Sequence, residues 1–455
     1  MKKLKIVSIG VGSASFGRGI LADLIASEEL RKSELTVSLV DIDKVALDRM
    51  YRFASMLKRH YSASAKIEAT TDRRKVLPGA NYVITSVARE RWQLWEKDFY
   101  IPIAYGFRHT FGENGGPGAA FHTLRSLHIT IPICKDMEEL CPDALLINFT
   151  NPESRVCLGI TKLTRIKTVG LCTGPFETLA VISRILGISK KDIDLTLGGI
   201  NHFHWVLQMR SQPEGKDLYP EFRRKMEQSD WDLDLFTRRM FKLIGLFAYP
   251  AASHIGEYVS FAYDMAGPIF PKWGLGKVSQ RIGARISEHT YEVEGKSHQA
   301  SPEFRSIEQK DKIQRVVEGK EPLTEELARS TEGLPISIIC DIEFNRSKKE
   351  LSVNVPNENL AISNLPEDAI VEVPAQVDAE GIHPIKIGPL PEVLAAICRH
   401  QISIQNLLVE AYRERSKRLL LHALILEPVV DSIEQAEKMM EHLLKLEADY
   451  LPEFH

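Results

Sequence analysis

The sequence has little of what a secreted or membrane protein carries. Its 455 residues hold only 6 cysteines, at 134, 141, 157, 172, 340 and 398, and no Cys-x-x-Cys pair. That scatter builds neither a disulfide framework nor a zinc ribbon, and it predicts reduced thiols in a cytoplasmic protein. No apolar run approaches the ~20 residues that a membrane-spanning helix needs. The opening stretch LKIVSIGVG, residues 4–12, reads as a short strand and lacks the organisation of a signal peptide. Charge of one sign is also missing: 58 Lys and Arg face 61 Asp and Glu, for a net charge of −3. Neither nucleic acid nor an anionic membrane is therefore expected as a partner. Internal repeats and low-complexity segments are absent too. What is there is a 44% hydrophobic chain, long enough to bury a large core.

The first 200 residues alternate short apolar strands with helical spacing. Residues 4–12, 36–41, 81–88, 143–151 and 166–172 read as strands, and residues 20–30 and 45–61 as helices. This alternation predicts an α/β fold, with a doubly wound parallel sheet of Rossmann type. Ligands of such sheets lie beyond the carboxyl ends of the strands. The expected division places a dinucleotide-binding domain at 1–195 and a mixed α/β catalytic domain at 196–455. The amphipathic stretch at 432–452 reads as a packed or interface helix.

The first strand runs into SIGVGSASFGRG. Gly10 permits a tight turn, and Gly12 lets a pyrophosphate approach the backbone and the following helix N-terminus. Ser13 follows, and Ser15 stands where the dinucleotide fingerprint has its third glycine. Asp41 ends the next strand and would accept from adenosine ribose hydroxyls, which favours NAD. It falls 29 residues after Gly12, and the insertion SEELRKSE absorbs the extra length. A tight strand–helix turn without a ligand is the plain alternative.

Other strand ends carry polar residues. INFTNPES places Asn148 and Asn151 just past a strand, where they could bond sugar hydroxyls or simply form an Asx-turn. KTVGLCTGPFE delivers Cys172 to a loop, as a filler, a nucleophile or a metal ligand. In LTLGGINHFHWVLQM, His202 and His204 have strand spacing and would point the same way if the strand continues. A thiolate and an imidazole suit Zn²⁺ or another first-row metal, although a packed histidine is the commoner case. GENGGPGAAFHTLRS could be a lid bringing in Glu113 or Asn114, or a plain loop. SHIGEYVSFAYDM holds Tyr258, a base only if a cation lowers its pKa.

Taken together and in order, these stretches resemble the NAD-dependent glycosidases of glycoside hydrolase family 4. GENGGPGAAFHTLR, NFTNP, GLC, GGINHFHW, HIGEY and the C-terminal stretches at 358–391 and 407–430 carry the resemblance through nearly the whole chain. It implies a small glycoside substrate, bound NAD, a divalent metal such as Mn²⁺, and a homodimer or homotetramer. The implied chemistry is not paired-carboxylate hydrolysis. Hydride leaves C3 of the sugar for NAD⁺, the C2 proton becomes acidic, the C1 substituent departs, water adds and the hydride returns. By the family pattern Cys172 and His202 hold the metal, Asn151 touches the sugar with Asn148 beside it, and Tyr258 is the C2 base.

One residue departs from the pattern. Relatives often place His, Asp or Asn after the cysteine, and this chain has Thr173. A hydroxyl cannot serve as a general acid at neutral pH, so either Glu113, His204 or water replaces it, or the substrate has a good leaving group. Thr173 is then expected to bear on substrate choice. Arg89, Arg91 and Arg108 could hold a carboxylate or phosphate, or be ordinary surface charges. Two rivals remain: a 2-hydroxyacid or sugar dehydrogenase sharing the opening architecture, and a catalytically weak sugar- or NAD-binding relative.

Overall fold

The computed structural model describes residues 2–13, 16–269, 302–329 and 333–455, so Ser15 lies outside it. Its centre is a 12-stranded sheet. Strands β1 (Lys3–Ile9), β2 (Glu34–Val40), β3 (Lys66–Thr70), β4 (Tyr82–Thr85), β5 (Leu145–Asn148) and β6 (Thr168–Gly170) pair in parallel in the order β3-β2-β1-β4-β5-β6. That is the doubly wound arrangement the alternation predicts, with its crevice where the order reverses between β1 and β4.

The sheet then continues with antiparallel strands. β7 (Ile193–Ile200), β8 (Phe203–Ser211), β9 (Phe247–Ala248), β10 (Lys348–Pro356) and β11 (Ile370–Asp378) extend it as β6-β10-β11-β7-β8-β9, and β12 (Gly381–Pro384) pairs with β11. Position 195 thus falls inside β7. Neither half owns a separate sheet.

Alternating residues of β1 feed two cores, as a strand buried on both faces must. Ile6 joins Leu21, Leu24, Phe53 and Leu57 from the helices Gly17–Ala26 and Lys44–His60. Val7 joins Leu124, Val156, Leu408 and Leu443 on the other face. The last two come from the C-terminal helices Glu392–Glu414 and Ile433–Leu446, so the end of the chain covers the first half of the sheet. Asp43 caps the helix Lys44–His60 by accepting from Val45 N at 2.8 Å and Ala46 N at 3.2 Å, which fixes the turn leaving β2. Among the described residues no helix is long and apolar enough to cross a membrane.

Candidate active site

At the end of β1 the chain turns tightly through Gly10, whose φ is +85°. A Cβ on Gly10 would sit 2.2 Å from Ser86 O, and one on Gly12 would sit 2.7 Å from Ala46 Cβ and 2.9 Å from Asp41 Oδ2. Both positions need glycine for space, which is the cradle that a pyrophosphate requires. Asp41 accepts Gly12 N–H at 2.8 Å and Asp43 N–H at 2.9 Å, so its carboxylate stands at the lip of the turn. Ser13 Oγ pairs with Ser86 Oγ at 3.0 Å across the crevice. The third close approach, expected at Ser15, is made by Gly17: a Cβ there would meet Val11 O at 2.1 Å. Gly17 is the helix–strand packing glycine, shifted two positions by a longer turn.

Cys172 lies two residues past β6, opposite the hairpin that joins β7 to β8. That hairpin overturns the expectation that His202 and His204 share a strand face. Ile200 pairs with Phe203, so Asn201 and His202 form the turn, and His202 takes φ +63°. His204 faces inward from β8. Its Nδ1 meets Glu372 Oε2 at 2.9 Å and its Nε2 meets Thr178 Oγ1 at 2.9 Å, with no exposure left. His202 Nδ1 is buried without a partner among the described residues. The ring centroids of His202 and His254 are 4.5 Å apart, and Tyr249 lies 5.9 Å from His202. A Cβ on Gly174 would touch both the Tyr249 ring, at 3.2 Å, and Cys172 Sγ, at 3.5 Å. Tyr249 therefore borders both the thiol and the imidazole.

Burial pushes the Cys172 thiol well above its usual range, with Glu372 adding to the rise. Burial likewise drives His202 well below, so its imidazole is neutral. A neutral imidazole with a free buried nitrogen, sharing Tyr249 as a neighbour with a buried thiol, offers donors that suit a divalent metal. Among the described residues no three His, Cys, Asp or Glu side chains converge as a closed metal site.

The Gly-rich loop at 112–116 is buried and pinned. Glu257 Oε1 accepts Asn114 N–H at 3.0 Å and also Glu113 N–H, while Glu427 Oε2 accepts Gly116 N–H at 3.0 Å. Glu113 pairs with Arg91 and accepts Asn151 Nδ2–H at 3.3 Å. Asn151 thus reaches the site edge. Asn148, expected beside it at the sugar, is fully enclosed instead. Its Oδ1 accepts Thr85 Oγ1–H at 3.0 Å and Thr150 N–H at 3.1 Å, and its Nδ2 donates to Thr150 O at 3.1 Å. Tyr258 donates to Asn201 O at 3.0 Å and is 4% exposed. Burial, then Glu257, holds its phenol well above the tyrosine range.

Two sequence profiles match the chain. The one described as Family 4 glycosyl hydrolase covers residues 5–188, and its C-terminal domain covers 197–430. An alpha-glucosidase of Erwinia rhapontici is 31% identical over 98% of both chains. An alpha-galactosidase of Bacillus subtilis is 30% identical over 99% of both. This chain belongs to glycosyl hydrolase family 4. It is accordingly an enzyme of the glycoside hydrolase class. The fold is shared with a solved 6-phospho-alpha-glucosidase from gut microorganisms in complex with NAD and Mn²⁺, at TM-score 0.83 and 20% identity over 100% of both chains.

In this family 4 chain the arginines divide. Arg108 is exposed, pairs with exposed Asp264 and lies over Tyr263. Arg89 is exposed and lines a cavity of about 90 Å³ with Arg91, His122, Arg125, His128 and Tyr450. The sequence assigns no role to Glu177, Glu372 or Glu257. Glu177 has a local signal one helical turn after Thr173, and Glu257 stands inside the HIGEY stretch. Glu372 reaches His204 across 168 positions of sequence, which no local pattern shows.

Proposed function

We propose that this enzyme hydrolyses a small glycoside by transient oxidation of the sugar, with NAD and a divalent metal such as Mn²⁺ bound. The observation that supports the reading is that one sheet carries the dinucleotide cradle after β1 and, after β6 and at the β7–β8 turn, a thiol and an imidazole that both border Tyr249. When bound, NAD⁺ supplies a reversible hydride acceptor and the metal supplies Lewis acidity to adjacent sugar oxygens.

The chain's own residues bind and position. Gly10, Gly12 and Ser13 hold the pyrophosphate end of the dinucleotide, and Asp41 its adenosine ribose. Cys172 and His202 hold the metal, leaving its other positions to substrate oxygens and water. Asn151, oriented by Glu113, bonds the sugar, while Asn148 braces the ends of β4 and β5. Tyr258 sits against the His202 turn. Its raised pKa makes it a base only when a bound cation offsets the burial. Glu113 fixes Arg91 and Asn151 together, and Arg89 faces an anionic group on the substrate from the neighbouring cavity. In this reading residues 1–195 bind the dinucleotide and 196–455 complete the metal and sugar site. The enzyme works in the cytoplasm as a homodimer or homotetramer.

A panel of p-nitrophenyl glycosides, 6-phosphoglycosides and uronides, with and without NAD⁺ and Mn²⁺, tests the proposal. Cleavage that needs both additives and yields no net NADH is expected. Net NADH without released phenol would instead support the dehydrogenase.

A further inference from the structure

We infer that Glu177 is the acid and base at the leaving group of this glycosidase, taking the part that Thr173 cannot play. The inference rests on the glycosidase reading above. Glu177 lies in the first turn of the helix Gly174–Leu186 and is exposed. Its Oε2 accepts Tyr249 Oη–H at 2.8 Å and its Oε1 accepts Thr173 Oγ1–H at 3.4 Å. Tyr249 is the ring that borders both Cys172 and His202. The carboxyl thus stands on the solvent side of that pair, where a departing group leaves and water enters.

Most other proton carriers around the pair are engaged, the exception being half-buried His254, which is bonded through Nδ1 alone, to Ser253 Oγ at 2.7 Å. Both nitrogens of His204 are bonded, to Glu372 and Thr178. Glu372 also takes Ser352 Oγ–H at 3.3 Å. Glu113 is held by Arg91 and Asn151, and Tyr258 donates to a backbone carbonyl. Glu177 has both hydroxyl partners and an open face.

The step balances. As the C1–O bond breaks, its electron pair goes to the leaving oxygen, which takes the proton of the Glu177 carboxyl and departs as an alcohol. The carboxylate then takes a proton from the water whose oxygen bonds to C1. The carboxyl is restored and nothing is consumed. Thr173 and Tyr249 hold the carboxyl by their hydroxyls, so they are positioning residues.

The test compares wild type and Glu177→Gln on a series of aryl and alkyl glycosides of the accepted sugar. The variant should lose ~10²–10⁴-fold in kcat/KM on alkyl glycosides, the range of general acid–base catalysis. It should stay within a few-fold on a dinitrophenyl glycoside, which needs no acid. Thermal midpoints should match, because the side chain is exposed. A loss equal across the series, or no loss, overturns the assignment of Glu177 alone. A wild type that cleaves no member overturns the glycosidase reading, and this inference with it.

Discussion

Replacing Glu153 by Gln should stabilise the enzyme, and more so as pH rises. Glu153 opens the helix Glu153–Leu163 and is 2% exposed. Its carboxyl fills the space that Gly170 leaves, since a Cβ there would lie 1.2 Å from Oε1. Oε1 accepts Cys157 Sγ–H at 3.1 Å, and Oε2 has no partner among the described residues. Burial raises its pKa from 4.5 to about 8; the Cys157 bond opposes the rise and Glu372 adds to it. A helix N-terminus favours a carboxylate by only ~0.3–1 kcal/mol, so burial wins. A carboxyl with a higher pKa folded than unfolded binds more protons in the folded state. Its contribution is fully present below pH 4.5 and is lost as pH rises to about 8. At 1.36 kcal/mol per unit the loss is about 2 kcal/mol by pH 6 and about 4 kcal/mol by pH 8. Gln is isosteric with the neutral acid and titrates nowhere. Urea unfolding midpoints without divalent metal, at pH 6, 7 and 8, should therefore show Glu153→Gln gaining about 2 kcal/mol on wild type across that window. A constant gap, or one that shrinks, would refute a buried neutral Glu153.

Three further outcomes are expected. Gly10→Ala forces a Cβ to within 2.2 Å of Ser86 O at φ +85°, so NAD⁺ affinity should fall at least ~10-fold by calorimetry; an unchanged Kd would contradict the cradle. Glu427→Ala strands buried Arg155, which Glu427 Oε1 meets at 3.1 Å, and frees Gly116 N–H. It should cost about 3–5 kcal/mol in denaturant, and a loss under ~1 kcal/mol would show that the pair matters little. Cys172→Ser should weaken Mn²⁺ binding measured directly by calorimetry, and wild-type affinity in the variant would remove the thiol from the metal site.

The parallel half of the fold was legible because its strands are short, apolar and punctuated by helices. The turn at Gly10, Gly12 and Asp41 is legible for the same reason: each follows a strand end, where ligands of this architecture lie. Two local readings failed on turn geometry. Gly17 does not announce itself, because the fingerprint spacing presumes a turn two residues shorter. His202 reads as sharing a strand face with His204 because a two-residue hairpin turn looks, in sequence, like an unbroken strand. The rest depended on long-range contacts. Glu257 and Glu427 hold the loop at 112–116 from more than 140 and 310 positions away. The antiparallel strands β10 and β11 insert between β6 and β7, which follow each other in sequence, so no local period announces that order.

The proposed chemistry removes the C2 proton of the glycoside during cleavage. The direct measurement is NMR or mass analysis of the sugar released in D₂O by the enzyme with NAD⁺ and Mn²⁺. Deuterium at C2 of the product is the predicted result. A product that keeps its original hydrogen at C2, formed at the same rate without NAD⁺, would contradict it.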